Sequence, residues 1–274
     1  MSKSKHDKDE SQTETTTSPV EYGIYSGPGI VNELVPFREV DGLAIAEGDI
    51  VLGTVEELRN PNPNKLEQEE KNRVVKGKSG KKSGKKGLVI VGNQYRWTQN
   101  SMPYVISPDL PNSGRVANAI EHVTTKTGFK FAKRTNQTDY VFFQWHASSS
   151  NSMLGKRGGK QIINLADWAN VGNTIHEILH AMGCFHEQCR HDRDDFIRIH
   201  WTNLAPGWAS QYAKPMNGVN IGRYDYCSIM HYGQTGGAQP GLKAFTILKR
   251  TACNVGQRIA MSRKDILTVK KIYP

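Results

Sequence analysis

Residues 176–186 read His-Glu-Ile-Leu-His-Ala-Met-Gly-Cys-Phe-His, and no other stretch of the 274 residues constrains the chain as much. His176 and His180 stand four apart, so one helical face presents both imidazoles to a single ion. Glu177 lies beside the first of them, where its carboxylate can face an open coordination position and accept a proton from water. Zinc favours tetrahedral coordination with Zn–N distances of about 2.0–2.1 Å and lowers the pKa of its bound water to about 7. Glu177 is then placed to act first as general base and next as general acid toward a leaving amine. A straight helix would carry residue 186 away from the ion. Gly183 can take a left-handed conformation, end the helix and bring His186 back. The first five residues alone also fit an ordinary amphipathic helix, but Gly183 and His186 in register leave little room for that alternative.

Composition bounds the rest. The chain is long enough for one or two domains with a core of their own. No run approaches the roughly 18–20 apolar residues that a membrane-spanning helix needs. The first twenty residues carry charge but no apolar core of a conventional signal peptide. The net charge of +10 is uneven: residues 1–87 hold 14 Lys and Arg against 15 Asp and Glu, leaving 22 against 11 for residues 88–274. A basic surface of that kind steers acidic partners without selecting among them. The four cysteines, Cys184, Cys189, Cys227 and Cys253, form no Cys-x-x-Cys pair, so a second, thiolate-based zinc site is not expected, and their redox state stays open.

Along the chain, residues 1–18 are polar and read as a disordered tail. Residues 19–75 mix Gly and Pro punctuation with short apolar pieces such as Leu43-Ala44-Ile45 and Ile50-Val51-Leu52. Residues 76–87 contain only Lys, Gly and Ser and read as a flexible linker. Residues 88–274 carry the globular signal. Met102 to Ile106, Tyr140 to Trp145 and Gln161 to Leu165 read as strands, with a turn at 155–160. A helix is expected after Ser113, its cap, with Val116, Ala119, Ile120 and Val123 on one face and Gly128 at its end. A second helix spans about Val171 to Met182, and Ser262 with Asp265 forms a capping-box pattern that opens a third. Three or four strands, a helix, loops and a last helix indicate an α+β fold.

The eleven-residue pattern resembles the metzincin clan. Its continuation, His186-Glu187-Gln188-Cys189-Arg190-His191-Asp192-Arg193-Asp194, resembles the HEQxRxDRD of the astacin family. Tyr224-Asp225-Tyr226-Cys227-Ser228-Ile229-Met230-His231-Tyr232 matches that family's YDYxSIMHY. Gly155 to Gln161 resembles its GRxGGxQ, and Gly256-Gln257-Arg258 with Met261, Ser262 and Asp265 its closing GQRxxLSxxD. The resemblance covers about 88–273. It implies a metzincin-type catalytic domain: a mixed twisted sheet and active-site helix in an N-terminal subdomain, a mostly irregular C-terminal subdomain with a final helix, and a cleft between them. It implies an endopeptidase holding one Zn2+ on His176, His180 and His186, with Met230 as the floor beneath the ion. Tyr232 would be a fifth ligand that swings away to stabilise the oxyanion. Gly158, Gly159 and Gln161 would border the edge strand along which a peptide lies.

The resemblance also implies a latent precursor. Ala46-Glu47-Gly48-Asp49 stands in for the family's FxGD, without the phenylalanine, and Asp49 would take the water position on the ion. Residues 19–75 would then be an inhibitory prosegment, and lysines 81, 82, 85 and 86 would attract an activating protease. An amine freed near Leu88 or Val89 would be buried by Glu187. Cysteines common in animal members are missing from their places, which points to a microbial relative or to a setting where disulfides are not relied upon. The implied partners are protein or peptide substrates, with acidic residues favoured after the scissile bond. No nucleic acid is expected, since the lysine run lacks interleaved aromatics or arginines. A monomer, secreted or translocated from a microbial cell without a conventional signal peptide, is the expectation, with the cytoplasm as the alternative. His6, His122, His146, His191 and His200 lack ligand spacing, and His231 belongs to the turn around Met230.

Overall fold

The structure is a computed structural model that describes residues 18–27, 30–61, 86–215 and 218–274. All of the expected tail except Ser18, and all of the expected linker except Lys86 and Gly87, lie outside those residues. The architecture is α+β, with many more strands than the three or four that periodicity suggests. Strands β1 (Val20–Gly27), β2 (Ile30–Val40), β3 (Leu43–Ala46) and β4 (Ile50–Thr54) make an antiparallel meander. The short helix α1 (Val55–Arg59) follows, opened by a reciprocal capping box between Thr54 and Glu57. The meander has its own apolar clusters, one of Tyr25, Phe37, Ala44, Val55 and Leu58, the other of Val40, Ile45 and Val51.

Beyond β5 (Lys86–Ile90) come β6 (Ser101–Ile106), helix α2 (Gly114–Thr127), β7 (Lys130–Lys133), β8 (Tyr140–Trp145), β9 (Asn151–Met153) and β10 (Lys160–Leu165). With the meander they build one nine-stranded sheet of order β1-β2-β3-β4-β9-β10-β8-β6-β7. The strands β10, β8, β6 and β7 run parallel, β9 is antiparallel to β10, and β4 joins β9 in parallel. The metal-motif helix α3 (Val171–Ala181) packs beneath this sheet with α2 and the final helix α4 (Arg263–Ile272). Their shared core includes Val116, Ala119, Val123, Phe143, Ile163, Ile175, Ile178 and Val269, all within 1% of full burial. Each of the valine, isoleucine and phenylalanine side chains contributes about 1.5–3 kcal/mol of transfer free energy, so α3 is held by packing rather than by its own propensity.

After Gly183 the chain is mostly irregular. It holds short 3-10 turns and the short strands β11 (Ile197–Ile199), β12 (Gly218–Gly222) and β13 (Phe245–Ile247). The pairs β11–β13 and β12–β5 form two small sheets. The expected two-part layout of a sheet-and-helix half and an irregular half is therefore present.

Two expectations need correction, and the open redox state of the cysteines is resolved. Ser113 does not cap α2: its own backbone is helical and its side chain makes no cap hydrogen bond. The helix instead starts from a turn in which Arg115 N donates to Asn112 O and Val116 N to Ser113 O. The strand at Gln161 is not an edge, because β10 is paired on both sides; the strand bordering the meander is β9. Cys227 and Cys253 form a disulfide, while Cys184 and Cys189 are free and buried, so this chain does carry one cross-link of its own.

Candidate active site

Two turns of α3 place His176 and His180 together, and every residue from Thr174 to Ala181 is buried. The helix opens on a reciprocal cap between Asn170 and Asn173 and ends at Met182. Gly183 follows at φ +99°, where a Cβ would meet Arg96 Nη1 at 2.6 Å and Ile90 Cγ2 at 2.8 Å. Both the left-handed backbone and the crowding demand glycine. The turn is fixed from outside: Ile90 N donates to Gly183 O and Phe185 N to Leu88 O, both at 2.9 Å. His186 is thereby returned to the end of α3.

The three Nε2 atoms converge with one carboxylate. His176 Nε2 lies 3.1 Å from His180 Nε2 and 3.2 Å from His186 Nε2. Asp49 Oδ2 lies 3.1 Å from His176 Nε2 and Asp49 Oδ1 3.1 Å from His186 Nε2. A tetrahedral ion at 2.0–2.1 Å sets its donors about 3.3–3.4 Å apart, so these spacings suit zinc. Tautomers suit it too. His176 Nδ1–H donates to Ile229 O at 2.9 Å and His180 Nδ1–H to Cys184 O at 2.8 Å. Their Nε2 lone pairs are left to point at the centre. Burial holds both imidazoles below their ordinary pKa, in the neutral form a ligand requires. Against burial, Asp49 and Glu47 push His186 up to about 9. Three imidazoles and one carboxylate whose donor atoms lie within 4.8 Å of one another make a set that fits a divalent cation.

The neighbouring groups fall into place around this centre. Glu177 lies between the two helical ligands in sequence and is 3% exposed. Met230 is buried in the main core, and its carbonyl accepts from Glu187 N at 3.0 Å. Glu187 is fully enclosed: its carboxylate accepts from Asp225 N at 2.7 Å, and Arg190 Nε lies 3.5 Å away. It lines a narrow cavity with Gly87, Leu88, Asp265 and Thr268. Tyr232 packs its ring 4.6 Å from that of His186, but its hydroxyl donates to Glu47 O. At Gly48 (φ +88°) a Cβ would run into that same hydroxyl. Gly158 and Gly159 form a turn held by Asp139, whose Oδ1 accepts from Gly159 N at 2.8 Å. Gln161 is buried, donating to Gly155 O at 2.8 Å and accepting from Arg157 N at 3.0 Å, so it closes the loop before β10 rather than facing the cleft.

Three further residues shape the site in ways their motifs do not announce. Asp265, on α4, accepts from Ser228 Oγ at 2.6 Å and from Ile229 N at 2.9 Å, clamping the turn that carries Met230. Arg258 donates to His231 O at 3.0 Å and sets its charge near Asp49, Tyr232 and Glu177. Glu47 reaches His186 Nδ1 at 3.2 Å. The signal for Asp265 was its doubled duty as cap and acceptor; Glu47 had none beyond its place beside Gly48. His231 accepts from the Tyr224 hydroxyl at 2.6 Å and its other ring nitrogen donates to Tyr232 O at 2.7 Å.

Comparison with known proteins then decides the family. The family model described as Astacin, a peptidase family, matches residues 89–274. The chain belongs to the astacin family. Among astacin relatives, the zinc metalloproteinase nas-4 of Caenorhabditis elegans is 36% identical over 185 residues, 65% of this chain and 59% of that protein. High choriolytic enzyme 1 of Oryzias latipes is 35% identical over 199 residues, 70% of this chain and 68% of that protein. The solved structure of that hatching enzyme zinc-protease superposes with a TM-score of 0.58 at 31% identity, covering 65% of this chain and 92% of the other. This chain spans less than two thirds of the length of the first nematode relatives it matches. Membership makes the metal zinc and the fold metzincin. Among the described residues no helix is long and apolar enough to cross a membrane.

Proposed function

We propose that this chain is a zinc-dependent endopeptidase made in a latent form. The observation that carries the reading is the convergence of three imidazole Nε2 atoms with Glu177 buried beside them on the same helix. Held by His176, His180 and His186, zinc would supply Lewis acidity there, lowering the pKa of water to about 7 and polarising a peptide carbonyl. Glu177 takes the proton from the attacking water and hands it to the departing amine. Tyr232, when its hydroxyl is not donating to Glu47 O, donates to the developing oxyanion. The substrate extends along β9, the strand that is an edge without the meander.

In the latent form residues 19–75 act as a prosegment. Asp49 occupies the water position with an anionic oxygen, and its carbonyl accepts from Ser152 N at 2.9 Å, so the latch lies along the peptide-binding strand. Cleavage within 76–87 by an activating protease frees an amine near Leu88 that the Glu187 cavity receives, an ammonium offsetting the buried acid. The Cys227–Cys253 disulfide supports work in an oxidising compartment outside the cytoplasm. No observation favours a second reading.

The test is Glu177→Ala on the processed, zinc-loaded chain. Peptide hydrolysis should fall by about 10²–10⁴-fold while the zinc content measured by atomic absorption stays at one ion per chain. Proteolysis that survives the change would remove the mechanism.

A further inference from the structure

The residue that follows the latch aspartate marks a subsite. Ile50 begins β4 opposite Ser152 of β9 and is 3% exposed. It sits in one buried apolar cluster with Leu88, Ile90, Tyr95, Leu154, Phe185 and Cys189, none of which belongs to the meander. A cavity of about 130 Å³ adjoins it. On the meander side its walls include Tyr25, Val35, Ala46 and Leu52; on the other side they are Leu154, Phe185, Ser210, Ala213 and Pro215. The one charged wall, Glu47, belongs to the meander.

We propose that the depression formed by Leu154, Phe185, Ala213 and Pro215 is the substrate subsite next to the scissile bond, and that it takes an aliphatic or aromatic side chain. This rests on the peptidase reading. Asp49 stands where the reacting peptide bond must lie, so the side chain one residue away samples the adjoining subsite. Ile50 is an aliphatic occupant already seated there by burial, the non-directional force that such walls provide. Meander side chains close that cavity on one side, so their departure leaves the depression open to a side chain larger than isoleucine. With the meander gone, none of the remaining cavity walls carries a charge, and an acidic side chain would lose its hydration there without a partner. The acidic preference implied by resemblance therefore does not apply to this subsite.

The experiment treats the zinc-loaded full chain with limited trypsin to remove the N-terminal residues, then profiles cleavage of a mixed natural peptide library. Leu, Ile, Val, Met or Phe should be enriched at one position flanking the cut. In a matched pair of peptides with Leu or Ala at that position, kcat/KM should favour Leu by at least about tenfold. Ala213→Phe, which fills the depression from its rim, should erase that ratio while leaving zinc content unchanged. Leu154→Ala, which enlarges it, should shift the preference toward Phe. A flat or charged profile at both flanking positions, with cleavage intact, would overturn the subsite alone, as would a ratio that neither variant moves. Absence of any cleavage would overturn the peptidase reading and take the subsite with it.

Discussion

The two halves of the metal centre are built in different ways. His176 and His180 are neighbours on one helix, and their outer nitrogens are tied to the carbonyls of Ile229 and Cys184, both inside the family domain. His186 comes from a turn, and its outer nitrogen faces Glu47, 139 residues away, while Asp49 reaches across from 127 residues before His176. One half is fixed by local geometry and core packing. The other is completed by a remote segment joined to the rest through one parallel strand pairing and a few side-chain contacts, among them Arg157 to the Tyr25 hydroxyl at 2.7 Å and His146 to Asp41 at 2.9 Å. The difference predicts that zinc retention rests mainly on α3 and its turn, with Glu47 adding to it, and that the proposed latency rests on the meander.

Three changes break or sharpen that contrast. His180→Ala strikes the fixed half and should have the largest effect: zinc stoichiometry falls from one toward zero, peptidase activity disappears, and the meander becomes open to limited proteolysis because Asp49 has lost its cation. A variant that keeps one zinc per chain would show that the helix is not the anchor. Asp49→Ala strikes the other half. It should leave zinc in place but raise the activity of the uncleaved chain roughly 10–150-fold, the equivalent of one charge-assisted contact of about 1.5–3 kcal/mol; an uncleaved chain as silent as before would place latency elsewhere. Glu47→Ala should act most gently. Removing an outer partner of a metal-ligating histidine costs about 10–100-fold in metal affinity. Chelator competition should show that loss in the full chain and no loss in the processed enzyme, where residue 47 is gone. Equal losses in both forms would contradict the division.

The same contrast marks what the sequence made legible. His176, Glu177, His180, Gly183 and His186 could be read because their roles follow from spacing along one helix and its terminus. Ser262 with Asp265 could be read as a cap for the same reason. β9 could not. Ser149, Ser150, Asn151 and Ser152 offer no apolar side chain, yet all four are within 3% of full burial. Their polar atoms are satisfied by partners distant in sequence, Asn164 Nδ2 donating to Asn151 Oδ1 at 2.9 Å and Ala166 N to Ser150 Oγ at 3.0 Å. Hydrophobic periodicity has nothing to report where a strand is held by hydrogen bonds. The four strands of the meander were hidden for another reason: their apolar pieces are short, and only pairing with one another and with β9 makes them a sheet. The Thr54-x-x-Glu57 pattern was a missed local sign of α1. The Cys227–Cys253 pairing joins two loops 26 residues apart and had no spacing signal.

The parallel join of β4 to β9 also bears on what would follow the proposed removal of the meander. A sheet that loses four of its strands presents a new row of unpaired backbone groups to solvent, the kind of edge along which copies of a protein stick together. β9 is three residues long and carries asparagine and serine at its first two positions. A short, polar border offers little to a second copy and enough backbone for a passing peptide. The run that conceals the strand from sequence reading would thus also keep the mature protein from polymerising on its own cleft.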